Sequence, residues 1–143
     1  MANTITATTA PISGFGDQGY IKMTDMLITL DVNIDSGSIA SSDAGADGVW
    51  DGRGIGSIQI IKTSGTGTIT AVLQGDNSSE SNFVTEVGDD GEARGNVCTA
   101  FPGSNMIQAQ PNFAFVLFQR ILLTAVGGSW SGKVLILISR RGE

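Results

Sequence analysis

The sequence contains no histidine. That removes a Ser-His-Asp or Cys-His nucleophile and any histidine-ligated zinc or iron site, because those chemistries need the imidazole itself. The single cysteine, Cys98, cannot close an internal disulfide, so the fold has to stand without covalent staples. Charged residues make up 15% of the chain, against a usual share of about 25%. Too few Lys, Glu and Arg are present to coat long solvated helices, so long helices are not expected. Basic residues are the scarcer sign, 8 against 14 acidic, for a net charge of -6. Only Arg140 and Arg141 are adjacent, which argues against nucleic acid as a partner, since neutralising phosphates needs clustered Lys and Arg. The first ten residues lack the basic start and apolar stretch of a secretory signal, so cytoplasmic synthesis without export is expected. Phe113 to Val126, the most apolar segment, is broken by Gln119-Arg120 and is too short to span a bilayer of about 30 Å as a helix. No membrane crossing is expected.

What is present is glycine, 20 of 143 residues, and a 41% hydrophobic content with a mean hydropathy of +0.13, enough for one core. Residues 1–24 read as an extended N-terminal arm, with small polar residues around Ile5 and Ile12 followed by Pro11, Gly14, Gly16 and Gly19. Residues 25–143 read as a single domain. Met26, Ile28, Leu30, Val32 and Ile34 alternate with Leu27, Thr29, Asp31 and Asn33, the pattern of a half-buried strand. Ser57–Thr63 and Thr68–Gln74 repeat it. The Ser64-Gly65-Thr66-Gly67 stretch between them has hairpin-loop composition, which predicts that these two strands pair antiparallel. Shorter strands are predicted at Asn82–Val87 and Val97–Phe101.

From Phe113 the chain is apolar on both faces, which predicts a covered strand with Gln119-Arg120 at a bend or bulge. Lys133–Arg140 has the same double-sided character and is expected to pair with the preceding strand across 127–132. Six to eight strands with glycine-rich connections and no amphipathic helix define an all-β sandwich or barrel. The one long connection, Ser36–Gly56, carries six glycines, Asp43, Asp47, Asp51, Trp50 and Arg53, and compact domains rarely keep such a loop without a use.

The chemical motifs are sparse. The Asp43, Asp47, Asp51 series fails the alternate-position ligand spacing of a calcium loop, and solvated turns are the better reading. Gly52-Arg53-Gly54-Ile55-Gly56 lacks the Lys-Ser/Thr of a phosphate-binding loop. Glu86, between Thr85 and Val87, is read as a half-exposed strand position rather than a catalytic acid. No catalytic, cofactor-binding or metal-binding residue is assigned, and no enzyme activity is expected. Trp50, Trp130 and Tyr20 lie in glycine-rich segments that look exposed, where aromatics serve as interface anchors. The candidate interface residues are Trp50, Arg53, Phe113, Phe115 and Trp130; the plain alternative for the tryptophans is packing over the end of the sandwich.

Across residues 26–140, the Gly-Ser-Ile-Gln-Ile-Ile-Lys-Thr run from Gly56 through Ala-Val-Leu-Gln-Gly at 71–75, the Asp-Asn-Ser-Ser turn at 76–79, and the closing Gly-Gly-Ser-Trp-Ser-Gly-Lys-Val-Leu-Ile-Leu-Ile-Ser resemble the small decoration (cement) proteins of tailed-bacteriophage capsids. The resemblance implies a jelly-roll-like β-sandwich. It further implies a structural virion protein, made in the host cytoplasm and placed on the capsid surface, that binds the major capsid protein, self-associates as a homotrimer and reinforces the shell. A carbohydrate-binding, lectin-like module of a phage tail or surface structure is the alternative, and it requires aromatics lined up on one exposed face.

Overall fold

The computed structural model describes residues 3–12, 17–18, 21–53, 55–87, 94–110 and 116–141. They form strands at Thr4–Ile12 (β1), Asp17–Gln18 (β2), Ile21–Ile34 (β3), Gly37–Ala40 (β4), Trp50–Asp51 (β5), Ile55–Ser64 (β6), Thr68–Asp76 (β7), Val84–Thr85 (β8), Asn96–Phe101 (β9), Asn105–Gln110 (β10), Phe118–Val126 (β11) and Trp130–Arg141 (β12). Two short 3-10 turns, Ser41–Ala44 and Ala46–Gly48, are the helical content of the described residues. All strand pairings are antiparallel, in two sheets. Sheet 1 runs β1-β3-β12-β6-β10, with β2 beside β3; sheet 2 runs β4-β11-β7-β8, with β5 on β11 and β9 on β7.

The eight principal strands divide as β3, β12, β6 and β10 in one layer and β4, β11, β7 and β9 in the other. Apart from β7 to β9, successive principal strands change sheet, which is the winding of a jelly roll. The all-β sandwich is therefore the fold, and its extra strands beyond six to eight are β1 and three two-residue bridges. Alternation explains the core. On β3, Ile28, Leu30, Val32 and Ile34 point inward; they meet Ile58 and Ile60 of β6 and Val134, Ile136 and Ile138 of β12. Sheet 2 contributes Ile69, Ala71 and Leu73 from β7 and Ile121 and Leu123 from β11. Burying each such aliphatic side chain is worth about 1.5–3 kcal/mol, which is how a chain with no disulfide holds two sheets together.

Three pairings differ from the sequence expectation. Ser57–Thr63 and Thr68–Gln74 do not form a hairpin: β6 pairs with β12 and β10, and β7 with β11, β8 and β9. The glycine-rich 65–67 link carries the chain from one sheet to the other. Likewise β12 does not pair with β11, because 127–129 is a second crossing at the same end. Gly67 N–H of the first link braces the second by donating to Ser129 O at 2.8 Å, and Lys62 Nζ holds the first link to β6 by donating to Gly67 O at 2.8 Å. Gly65 has φ 112, a left-handed conformation that favours glycine, and any Cβ there would press into the Ser129 carbonyl. The third difference is at Gln119-Arg120, where β11 keeps regular register with β7 from Phe118 to Val126. No bulge forms; strict alternation turns Gln119 inward beside Ile121 and Leu123.

Residues 4–12 of the expected arm are in the sheet. β1 pairs with β3 from Thr4↔Asn33 to Ile12↔Asp25, and Ile5 is buried. Asn3 fixes its start, accepting from Asp35 N–H at 2.8 Å and donating to Ser36 O at 2.8 Å.

Candidate functional site

At the end of the sandwich where Ile138 pairs with Met26, the Ser36–Gly56 loop folds over the gap between the sheets. The loop is stapled to β11 through Ser41, fully buried, whose Oγ donates to Gly48 O at 2.6 Å and accepts from Ile121 N–H at 3.0 Å. Asp43 closes the first turn by accepting from Ala40 N–H at 3.1 Å. Beneath the loop is a hollow of about 330 Å³ walled by Met26, Ile28, Ile138, Val49 and Trp50, with Thr9, Asp47 and Asp51 at its polar side.

A buried polar rail crosses this end. Trp50 Nε1 donates to Gln119 Oε1 at 2.7 Å, and Gln119 Nε2 donates to Glu86 Oε2 at 2.7 Å. Gln119 is fully buried and spends both halves of its amide, so it satisfies two neighbours that would otherwise be costly to bury. Two glycines make room. A Cβ on Gly52 would run into Val116 and the Gln119 stem, and one on Gly75 would lie 3.0 Å from Val116 and 3.3 Å from Glu86 Oε2.

Glu86 opens onto a second cleft, about 500 Å³, walled by Gly75, Asp76, Asn77, Ser78, Asn82, Val84, Thr85, Val87 and Val116. Its two carboxylates differ. Burial pushes the Glu86 carboxyl above its ordinary value, with the Gln119 hydrogen bond opposing the shift. Burial acts in the same direction on Asp76 but is outweighed by the Ser78 hydroxyl at 2.7 Å and the N–H groups of Ser78 at 2.8 Å, Asn82 at 2.6 Å and Ser79 at 3.2 Å, which bring it down to about 2. Four donors make Asp76 the clasp of the 77–82 turn, not a reacting group.

No family model matches the chain, and no curated protein does. Among solved structures, one described as "CpGH89CBM32-6 produced by Clostridium perfringens" is similar at a TM-score of 0.36 and 8% identity, over 95% of this chain and 94% of that chain. A likeness of that size carries no argument about this chain.

Among the described residues, the predicted interface residues Trp50, Arg53 and Trp130 are not brought together on one surface. Trp50 is 7% exposed and Trp130 fully buried, so neither tryptophan is a surface anchor; both pack inside the ends of the sandwich, as in the plain alternative. The glycine in Gly-Ser-Trp-Ser-Gly at 132 is a space requirement rather than loop freedom, since a Cβ there would run into the Ile61 carbonyl of the neighbouring strand and then the Trp130 ring. Arg53 is on the surface, held by Asp51 through Nε at 2.8 Å and Nη2 at 2.6 Å, which raises its pKa. Phe113, Phe115 and Tyr20 lie outside the described residues. Glu86 is buried rather than half-exposed, because it sits beneath Val116 with Gln119 as partner. No group of three His, Cys, Asp or Glu side chains among the described residues is placed to hold a metal ion, and Asp43, Asp47 and Asp51 do not converge.

The exposed surface that the sequence reading missed is the outer face of sheet 1. Alternation and register place Leu27, Thr29, Gln59, Ile61, Leu135, Leu137 and Ile107 side by side there, with Ile107 66% and Leu137 38% exposed. Among its described side chains, charge is confined to Asp31 and Lys133, which pair with each other at 3.7 Å. Its signal in the sequence was Leu135 and Leu137 in the closing strand, whose double-sided apolar character implied cover on both faces.

Proposed function

We propose that the protein is a structural subunit that self-associates, as a homotrimer, and decorates the outside of a phage capsid shell by binding its major capsid protein. The observation that carries this reading is the outer face of sheet 1, a broad strand surface on which, among the described side chains, charge is limited to the Asp31–Lys133 pair and Ile107 and Leu137 are exposed. Aliphatic surface left open over several strands is what protein-protein contacts cover. Repeated contacts of standard size, about 1,200–2,000 Å² each, would hold such subunits on a shell by avidity rather than by one strong site. The jelly roll is compatible with this use and also hosts lectins, so the fold by itself does not choose. The inward position of both tryptophans weighs against a sugar platform.

The test is to purify the protein, measure its mass in solution by native mass spectrometry, and incubate it with procapsids, expanded capsids and a glycan array. A trimer that sediments with shells and ignores glycans is the expected result. Glycan capture by the isolated subunit, with no shell binding, would overturn the reading.

A further inference from the structure

The cleft at Glu86 is lined in a way that sheet 1 is not, and it supports an inference that goes beyond the shell reading. The Glu86 carboxylate sits at its inner wall, about nine-tenths buried, with one oxygen taken by Gln119 and no Lys or Arg among the described residues paired to it. Asp76, held ionised by its four donors, adds a second negative charge on the same wall. One part of the lining is aliphatic, with Val84 67% and Val87 61% exposed and Val116 packed against Gly75, and Asn77, Ser78, Asn82 and Thr85 line the rest.

A buried carboxylate beside an aliphatic strip, in a cleft otherwise lined by neutral polar side chains and Asp76, matches one class of occupant in charge and in its mix of apolar and polar contacts. We propose that this cleft is a binding site for a basic side chain, Lys or Arg, presented by a partner protein: the methylene stem lies against Val84, Val87 and Val116 while the cation reaches Glu86. Long basic side chains divide in this way between an apolar stem and a charged head. A free metal ion is a poorer fit, because no third carboxylate joins Glu86 and Asp76 among the described residues and the Asp76 oxygens are already engaged. A neutral polyol is poorer too, since no aromatic platform is among the residues that line the cleft.

The rail supplies a built-in reporter. Because Gln119 joins Glu86 to the Trp50 indole, a cation at Glu86 should be felt at both the Gln119 side-chain amide and the Trp50 indole N–H. The experiment is a ¹H–¹⁵N NMR titration of the wild-type protein with N-acetyl-arginine amide and N-acetyl-lysine amide, with N-acetyl-norleucine amide as the neutral stem. Saturable shifts of those two resonances with either cation, and none with norleucine, are expected. Glu86→Gln keeps an acceptor for Gln119 but removes the charge, and should weaken cation binding about tenfold or more. Equal shifts with norleucine, an unchanged affinity in Glu86→Gln, or no saturation with either cation would overturn the proposal. The titration uses the isolated protein, so its failure leaves the shell reading standing, and absence of shell binding leaves this site standing.

Discussion

The two sheets present different kinds of outer surface. On sheet 2 the outward side chains are bonded to one another: Ser38 and Thr124 hydroxyls meet at 2.7 Å, and Arg120 donates to Gln74 Oε1 at 2.8 Å and Ser42 Oγ at 2.7 Å. The Arg120 guanidinium also lies 4.4 Å over the Phe83 ring, which draws the 77–83 segment across the sheet. On sheet 1 the outward polar side chains are bonded too, Asn33 Nδ2 donating to Thr4 Oγ1 at 3.3 Å and Gln59 Nε2 to Asn105 Oδ1 at 2.9 Å. Between them, however, lie Leu27, Ile61, Leu135, Leu137 and Ile107, with the Asp31–Lys133 pair as the single ionic contact of that face among the described residues. Sheet 2 has the 77–83 segment held over its outer face, whereas no such segment among the described residues is bonded across sheet 1. The difference teaches that cover rather than charge separates the two faces, since both carry ionised side chains, Arg120 on sheet 2 and the Asp31–Lys133 pair on sheet 1.

The comparison can be broken most sharply on sheet 1. Replacing Ile107 and Leu137 together by Asp should weaken shell binding by about a hundredfold, since a pair of central aliphatic contacts at about 1–2 kcal/mol each is lost and a charge is buried in their place. The fold should survive because both side chains point outward. Val72→Asp on the outer face of sheet 2 is the control, and equal loss of binding from it would remove the distinction between the faces.

Stability should show the reverse asymmetry. Arg120→Ala loses two hydrogen bonds and a cation-π contact and should cost about 1–2 kcal/mol by urea denaturation, with shell binding unchanged. Acid should loosen the same sheet through Asp76. Its folded pKa of about 2 lies below the ordinary value of 3.8, so its stabilisation is complete above about pH 4 and is lost as pH falls through 2. Thermal melts between pH 2 and 5 should therefore be flatter for Asp76→Asn than for wild type. The smallest effect belongs to Lys133→Met, since an exposed pair at 3.7 Å is worth at most about 0.5 kcal/mol; a loss above 1 kcal/mol would show that sheet 1 depends on it.

Much of the fold was legible because side-chain alternation has a period of two and survives in any sheet. Met26 to Ile34 is inward and outward as the sequence indicates, and the same holds for 57–63 and 68–74. Which sheet each strand joins was not legible. Ser-Gly-Thr-Gly suits a tight hairpin and a crossing link equally well, and the choice is made by β12 inserting beside β6, far away in sequence. Gln119 was misread for a related reason: a polar residue in an apolar run suggests a bulge unless its partners, Trp50 and Glu86, are known to converge on it. The tryptophans were misplaced because glycine flanks signal exposure, whereas Gly132 is small because the Ile61 carbonyl of β6 and the Trp130 ring both close on it. Residues 4–12 offered only Ile5 as an inward anchor, and their place in the sheet depends on the length of β3 beside them.

The position of β12 also sets a schedule. Sheet 1 cannot close until β12 slots between β3 and β6, and the Leu30↔Val134 pairing joins positions roughly a hundred residues apart, the kind of separation that slows folding to the millisecond-to-second range. During synthesis, β3 and β6 wait with bare edges until residues near 138 have left the ribosome. Sheet 2, whose strands all lie within residues 37–126, can be complete while sheet 1 still waits for β12, so newly made chains have a window in which the open edges of sheet 1 are most exposed to mispairing with one another.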